Sequence, residues 1–345
     1  MSNHLFNYRG NGIPVMPHWW GVYKFQHAGV CDGSNESAAW AMSGANLAEV
    51  DRNFIQRFRP DIFHLNAGAS RAPTDKQKAK ELLALRSRLK KLDSNKTIDD
   101  YIALRYESTE EVLASGVYDH IPILRQSFNN EGFFCINEGN PICEILDPGG
   151  PLGFEEGLAA LLEAPDKMER LIYGSYQALL PRMAALKEKG AHGYIGSETY
   201  CSSDLISPAI YRSLVFPAQK FFYHEIGKMG IVPITYFLGD INPLIGDIKQ
   251  MGAKGLMIEE SKKGFVLDVN DIYTKLEGSM TLFGNRDSIY TLLDGTVGDI
   301  KAETERQIQG KEHNFIMANG SPIAFNTPPE HIDAMIHAAH EQPKH

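Results

Sequence analysis

At 345 residues, 43% of them hydrophobic, the chain is long enough to bury a sizeable core and too apolar to be disordered. A formal net charge of −9 disfavours nucleic acid or an anionic membrane surface as a partner. No apolar run reaches the length of a membrane span, and the polar start MSNHLFNYRGNG has no apolar signal core. Cys31, Cys135, Cys143 and Cys201 form no CxxC pair, so a cytoplasmic chain with reduced thiols is expected.

The first apolar run is Ile13–Trp20, ending on His18, Trp19 and Trp20. A helix follows over Ser37–Phe58, with Trp40, Ala41, Leu47, Val50, Phe54 and Ile55 at helical spacing. The second run, Asp61–Asn66, ends on His64 and Asn66. The connection Ala67–Gly132 is too long for one crossover. It holds a basic helical stretch, Lys76–Lys91, and reads as extra helices at a barrel mouth. The third run, Phe133–Glu138, ends on Asn137 and Glu138. A helix over Asp166–Lys189 then leads to the run Gly193–Tyr200, which ends on Glu198 and Tyr200. Ser207–Lys228 opens with Ser-Pro, an N-cap followed by proline in the first turn. The run Val232–Asp240 carries Tyr236 and Asp240 and is followed by a helix over Asn242–Gly252, with Gly252 as C-cap. Three more runs complete the set. Gly255–Glu260 ends on Glu259 and Glu260, Met280–Asn285 on Asn285 before Arg286, and Asn314–Asn319 on Asn319 before Ser321.

Eight short runs without strict alternation suit strands buried on both faces, and helices between them suit parallel crossovers. The expected fold is one α/β domain over residues 1–345, a (β/α)8 TIM barrel with added mouth helices. Chemistry then belongs at the C-terminal strand ends. Catalytic roles fall to Glu198, Asp240 and Tyr236. Substrate contacts fall to His18, Trp19, Trp20, His64, Asn66, Glu138, Tyr200 and Asn285. Carboxylates left bare at one mouth would repel, so Glu198, Asp240 and Glu259 are expected to converge on a cation. The plainer alternatives are ion pairs with Lys262 or Arg286, and packing roles for the histidines and tryptophans.

Several segments resemble the uroporphyrinogen-decarboxylase-like superfamily. LISPAIYRSLVFPAQK is similar to its I-S-P-x-x-Y/F-R-x-x-x-x-P-x-x-K stretch, and LFGNRDSIYTLLDGTVGDI to its G-N-x-D-x-x-x-L-x-x-G-T signature. FIMANGSPIAFNTPPEHIDAM resembles its final strand and helix start, LLEAPDKMERLI one of its helices, and IPVMPHWW its first strand. The family's true decarboxylases carry R-Q-A-G-R after the first strand to clamp substrate carboxylates. GVYKFQHAGVC has neither arginine, so uroporphyrinogen is not an expected substrate. The zinc-dependent thiol methyltransferases of the family carry H-x-C after the fifth strand and Cys after the eighth. Tyr236, Leu238 and Ser321 stand there instead, and Glu259 alone matches a related glutamate. The resemblance therefore implies a methyltransferase that moves a methyl group from a small donor, such as an aromatic methyl ether, to a corrinoid (B12-binding) partner protein. Zinc on Glu259, Asp240 and Glu198 would polarise the donor oxygen, with His18 or His64 as a nitrogen ligand. The competing readings are a decarboxylase of another small acid and a non-catalytic binding barrel.

Overall fold

The computed structural model describes residues 8, 10, 12–19, 22–30, 41–71, 76–311 and 313–341. Seven parallel strands follow one another in chain order: β1 Ile62–Asn66, β2 Phe133–Gly139, β3 Gly193–Glu198, β4 Val232–Phe237, β5 Gly255–Ile258, β6 Thr281–Phe283 and β7 Phe315–Ile316. Each lies inside one of the expected runs or overhangs it by one residue.

The strands are doubly buried, which is why their sequences do not alternate. Along each strand, one set of side chains packs in a shared inner cluster: Ile62, Cys135, Ile195, Ile234, Met257 and Phe283. The intervening set, including Phe63, Leu65, Phe134, Ile136, Tyr194 and Phe237, joins the larger core beneath the helices. Neighbouring residues in a strand thus face a lumen or a helix layer.

The first run departs from expectation. It forms no strand, only an isolated parallel bridge between Val15 and Met317. Met16 N–H donates to the Met317 carbonyl at 2.9 Å, and Met317 N–H to Pro14 at 2.8 Å. On the other side the Val15 carbonyl accepts from Asp61 N–H at 3.0 Å and Ile62 N–H at 3.3 Å. The run therefore bonds to both edges of the sheet, while Pro14 and Pro17, having no N–H, cannot donate to a full ladder.

Helices Gly44–Phe58, Pro165–Ala178 and Pro329–His340 supply part of the outer layer. Two expected helices are interrupted. Asp166–Lys189 divides at Leu179, with Pro181 in the first turn of Leu180–Glu188. Ser207–Lys228 starts as expected, with the Ser207 side chain capping Ile210 N–H, but widens into a π-turn at Tyr211–Val215. Pro217 explains the widening: it cannot donate, and its ring crowds the carbonyl one turn back, so Phe216 N–H reaches Tyr211 instead. Asn242–Gly252 is a 3₁₀ turn with one α-turn, Ile245–Ile248. Lys76–Leu89, Asn95–Arg105, Thr109–Ser115 and His120–Ser127 are the extra helices. Backbone bonds from Gly68 to Val117 and from Arg71 to Ser115 tie them to the segment leaving β1. Among the described residues no helix is long and apolar enough to cross a membrane.

Candidate functional site

The lumen changes character along the strands. Its floor is the apolar inner cluster. Two residues further, at the C-terminal ends, the same inward face carries His64 and Asn66 on β1, Asn137 on β2, Ser197 on β3 and Tyr236 on β4. Glu259 and Asn285 follow just past β5 and β6. A curled parallel sheet keeps such side chains on its inner face, at the C-terminal strand ends.

Three rings form the base of this polar layer. His18 and His64 lie 5.1 Å apart between centroids, and Tyr236 meets His18 edge-on at 4.8 Å. Tyr236 O–H donates to the Gly320 carbonyl at 2.9 Å, and His18 Nδ1 lies 3.0 Å from the same oxygen. A carbonyl can only accept, so His18 carries its proton on Nδ1 and turns the Nε2 lone pair outward. Asn319 fixes the His18 backbone, accepting from its N–H at 2.8 Å and donating to its carbonyl at 3.0 Å. His64 is fully buried, and neither ring nitrogen has a hydrogen-bond partner. Burial pushes the His18 imidazole down to about 4. It drives His64 well below its ordinary value, helped by His18 and Lys24. Burial, then the charges of Glu259 and Glu260, holds the Tyr236 phenol well above its usual range. The three rings are therefore neutral at physiological pH.

Glu259 faces the same opening. One carboxylate oxygen accepts Gly239 N–H at 3.0 Å and the other lies 3.3 Å from Lys262. Asn285 donates both amide hydrogens, to the carbonyls of Glu259 at 3.2 Å and Leu267 at 2.7 Å. Asn137 accepts from the Ser197 hydroxyl at 3.3 Å.

Other expected site residues point elsewhere. Glu198 follows Ser197 by one position, so the pleat turns it to the helix side. There it is fully buried, accepting from Tyr223 at 2.7 Å and Gln219 at 2.5 Å, with Tyr176 and Cys201 at 3.4 and 3.7 Å. Burial raises its carboxyl to about 7 against these donors. Glu138 likewise faces outward, to Tyr118 and a two-pronged contact with Arg182 at 2.9 and 3.1 Å. Asp240 turns into the loops past the strands, accepting from Ser203 after β3 and from Asn242 in its own loop. Tyr200 lies tilted against Phe154 and reaches Asp147 at 3.4 Å. Trp19 packs under helix Gly44–Phe58, edge-on to Phe54, and its indole donates to the His64 carbonyl at 2.8 Å. Trp20 lies outside the described residues.

The expected convergence of Glu198, Asp240 and Glu259 is therefore not what the structure shows. Their oxygens are taken by tyrosine, amide, hydroxyl, backbone and ammonium donors, and they sit on opposite faces of the sheet or in a loop. Among the described residues no group of three His, Cys, Asp or Glu side chains is placed to hold a metal ion. Ser321, at the expected thiolate position, spends its hydroxyl on Glu260 at 2.7 Å. The residues present do not fit a zinc centre with three protein ligands.

Sequence reasoning missed one element of the site. Lys24, on the short helix Val22–His27, is buried against Asp51 at 2.5 Å and lies 3.5 Å from Asn66 Oδ1. Burial raises the Asp51 carboxyl while Lys24 opposes the rise. His120 is buried beside this pair, its imidazole pushed down to about 3 by burial and by Lys24. The signal available was a lone lysine inside the aromatic stretch VYKF, a position where a charge needs a buried partner.

Comparison with known proteins agrees with this architecture. The profile of the uroporphyrinogen decarboxylase (URO-D) family matches residues 100–342. Methylcobamide:CoM methyltransferase MtaA of Methanosarcina barkeri is 27% identical over 180 residues, covering 52% of this chain and 50% of that protein. A methylated-thiol–coenzyme M methyltransferase of Methanosarcina mazei is 27% identical over 229 residues, covering 66% of this chain and 54% of that protein. The chain thus spans about half the length of the curated relatives it matches. A solved methyltransferase from Methanosarcina mazei superposes with a TM-score of 0.69 at 19% identity, over 95% of this chain and 93% of that one, which establishes a shared fold.

Proposed function

The chain belongs to the uroporphyrinogen decarboxylase family, and from that premise we propose that it is a corrinoid-dependent methyltransferase that moves a methyl group from a small methylated donor to a corrinoid protein. The carrying observation is the composition of the lumen mouth. Neutral rings and amides, with the Glu259 carboxylate, stand over an apolar floor, and a buried cation beside them, Lys24, is already matched by Asp51. Such a mouth positions a small, largely apolar molecule. It does not clamp a porphyrinogen with many carboxylates, which needs unpaired cations. The named activity of the relatives supplies the alternative chemistry.

The methyl acceptor is the corrinoid of a partner protein, whose reduced cobalt supplies the nucleophile. The residues of this chain bind, orient and exclude water. His18 and Tyr236 are locked by the Gly320 carbonyl, and His64 offers a neutral N–H to the atom that loses the methyl group. The donor side of the reaction, rather than thiol activation, is favoured because Tyr236, Leu238 and Ser321 replace thiol-site ligands. An aromatic methyl ether is one donor class. This reading treats residues 1–345 as a single cytoplasmic domain whose first run is the eighth stave of the barrel. The test is to mix purified protein with reduced cobalamin or a corrinoid protein and a panel of aryl methyl ethers, methylamines, onium compounds and methylated thiols. Methyl-cobalamin formation is followed by absorbance. No methyl-cobalamin from any donor refutes the proposal.

A further inference from the structure

The lumen mouth narrows the donor class, in an inference that rests on the methyl-transfer reading above. We propose that the site formed by Glu259, Tyr236, His18, His64 and Asn285 takes a methylated onium, a quaternary ammonium or a sulfonium, as its methyl donor.

The first argument comes from the leaving group. A methyl ether departs as an alkoxide or phenoxide, which calls for a Lewis acid or a strong proton donor. The carboxylates expected to hold a metal are dispersed, and the three rings at the base are all neutral. An onium departs as a neutral amine or thioether. The C–N or C–S bond breaks with its electron pair staying on nitrogen or sulfur, and the pair for the new methyl bond comes from the reduced corrinoid. No proton moves, so neither a metal nor an acid is needed.

The second argument is recognition. Four groups of the site present unused acceptors. His18 keeps its Nε2 lone pair free because Nδ1–H is bound to Gly320. Asn285 has spent both amide hydrogens and keeps its oxygen. Tyr236 has donated its proton and presents its ring and oxygen lone pairs. Glu259 adds a carboxylate on the lumen side. Aromatic faces and a carboxylate are the chemistry that holds an alkylated cation.

Among the described residues Lys262 is the one cation that contacts Glu259. Lys24 is paired with Asp51 at 2.5 Å. Lys262 is closer to Glu260, at 2.5 Å, than to Glu259, at 3.3 Å. Arg286 lies on the helix side, against Thr304. His64 completes the site. It is fully buried, aimed inward between Ile62 and Asn66, and unpartnered at both nitrogens. Buried polar atoms are rarely left so unless a ligand or water meets them.

The test is calorimetric titration of the purified protein with choline and with 3,3-dimethylbutan-1-ol, its uncharged isostere. Choline should bind about tenfold tighter or better. Glu259→Gln should remove most of that preference without changing the far-UV circular dichroism, and Glu259→Asp should retain it. Equal affinity for the two probes, or an unchanged preference in Glu259→Gln, overturns the proposal. The reduced-cobalamin assay separates this idea from the broader one. Methyl-cobalamin formed from methoxyarenes but not from onium donors overturns the onium site and leaves methyl transfer standing. A clear cation preference without methyl-cobalamin from any donor supports the site and refutes methyl transfer.

Discussion

Glu198 is the residue whose environment most directly predicts a measurable effect. It is a carboxyl sealed between β3 and the helices, with Tyr223 and Gln219 as donors and no cation in contact. Burial lifts it from an ordinary 4.5 to about 7. A raised folded-state pKa means that the folded protein binds this proton more tightly than the unfolded chain. The associated stability is present in full below pH 4.5 and is lost as pH rises through 7. An interval of roughly 2.5 pH units at about 1.4 kcal/mol per unit gives about 3 kcal/mol. His18 acts in the opposite sense: its depressed pKa removes stability as pH falls from 6.5 toward 4. The quantity to read is therefore the difference between wild type and Glu198→Gln, which keeps the shape and removes the titration. Urea unfolding of both proteins at pH 5 and pH 8 should show that difference moving by about 2.5 kcal/mol in favour of the variant at the higher pH, since part of the interval lies below pH 5. Parallel pH profiles would show that Glu198 is solvated or neutralised by a cation, and the reasoning would fail.

Lys24→Met should cost about 3–5 kcal/mol in denaturant unfolding, because it leaves the Asp51 carboxylate buried and unpaired. Adding Asp51→Leu should recover most of that loss, and a milder effect of the single variant would place water at the pair. Tyr236→Phe deletes a buried hydrogen bond to Gly320 and should cost about 1 kcal/mol, read by thermal denaturation. Because His18 is held near 4 and His64 lies well below its ordinary value, methyl transfer should stay flat between about pH 5.5 and 8. A fall with an apparent midpoint near 6.5 would mean that a lumen histidine titrates normally. Uroporphyrinogen should not be decarboxylated, and coproporphyrinogen in a chromatographic assay would contradict the reading of the mouth.

The repeating βα organisation was legible because a strand buried on both faces leaves a local mark, a short apolar run too brief for a helix. Ile62–Asn66, Phe133–Gly139 and Gly193–Glu198 all coincide with such runs. The extra helices between β1 and β2 were legible from the length of the connection and from its helical stretch Lys76–Lys91. At the C-terminal ends of the strands His18, His64 and Tyr236 lie together, with Glu259 and Asn285 just past β5 and β6. What a run of letters does not carry is which of two neighbouring residues faces inward. Ser197 and Glu198 differ by one step of the pleat, and that step places the hydroxyl in the lumen and the carboxylate in a sealed tyrosine cage. Asn137 and Glu138 divide in the same way. The expected metal triad is dispersed partly for this reason: Glu198 turns to the helix side because side-chain direction alternates along a strand, while Asp240 lies in a loop beyond β4. The pairing of Lys24 with Asp51 likewise joins a helix after the first run to one before β1, a contact that only the folded packing creates.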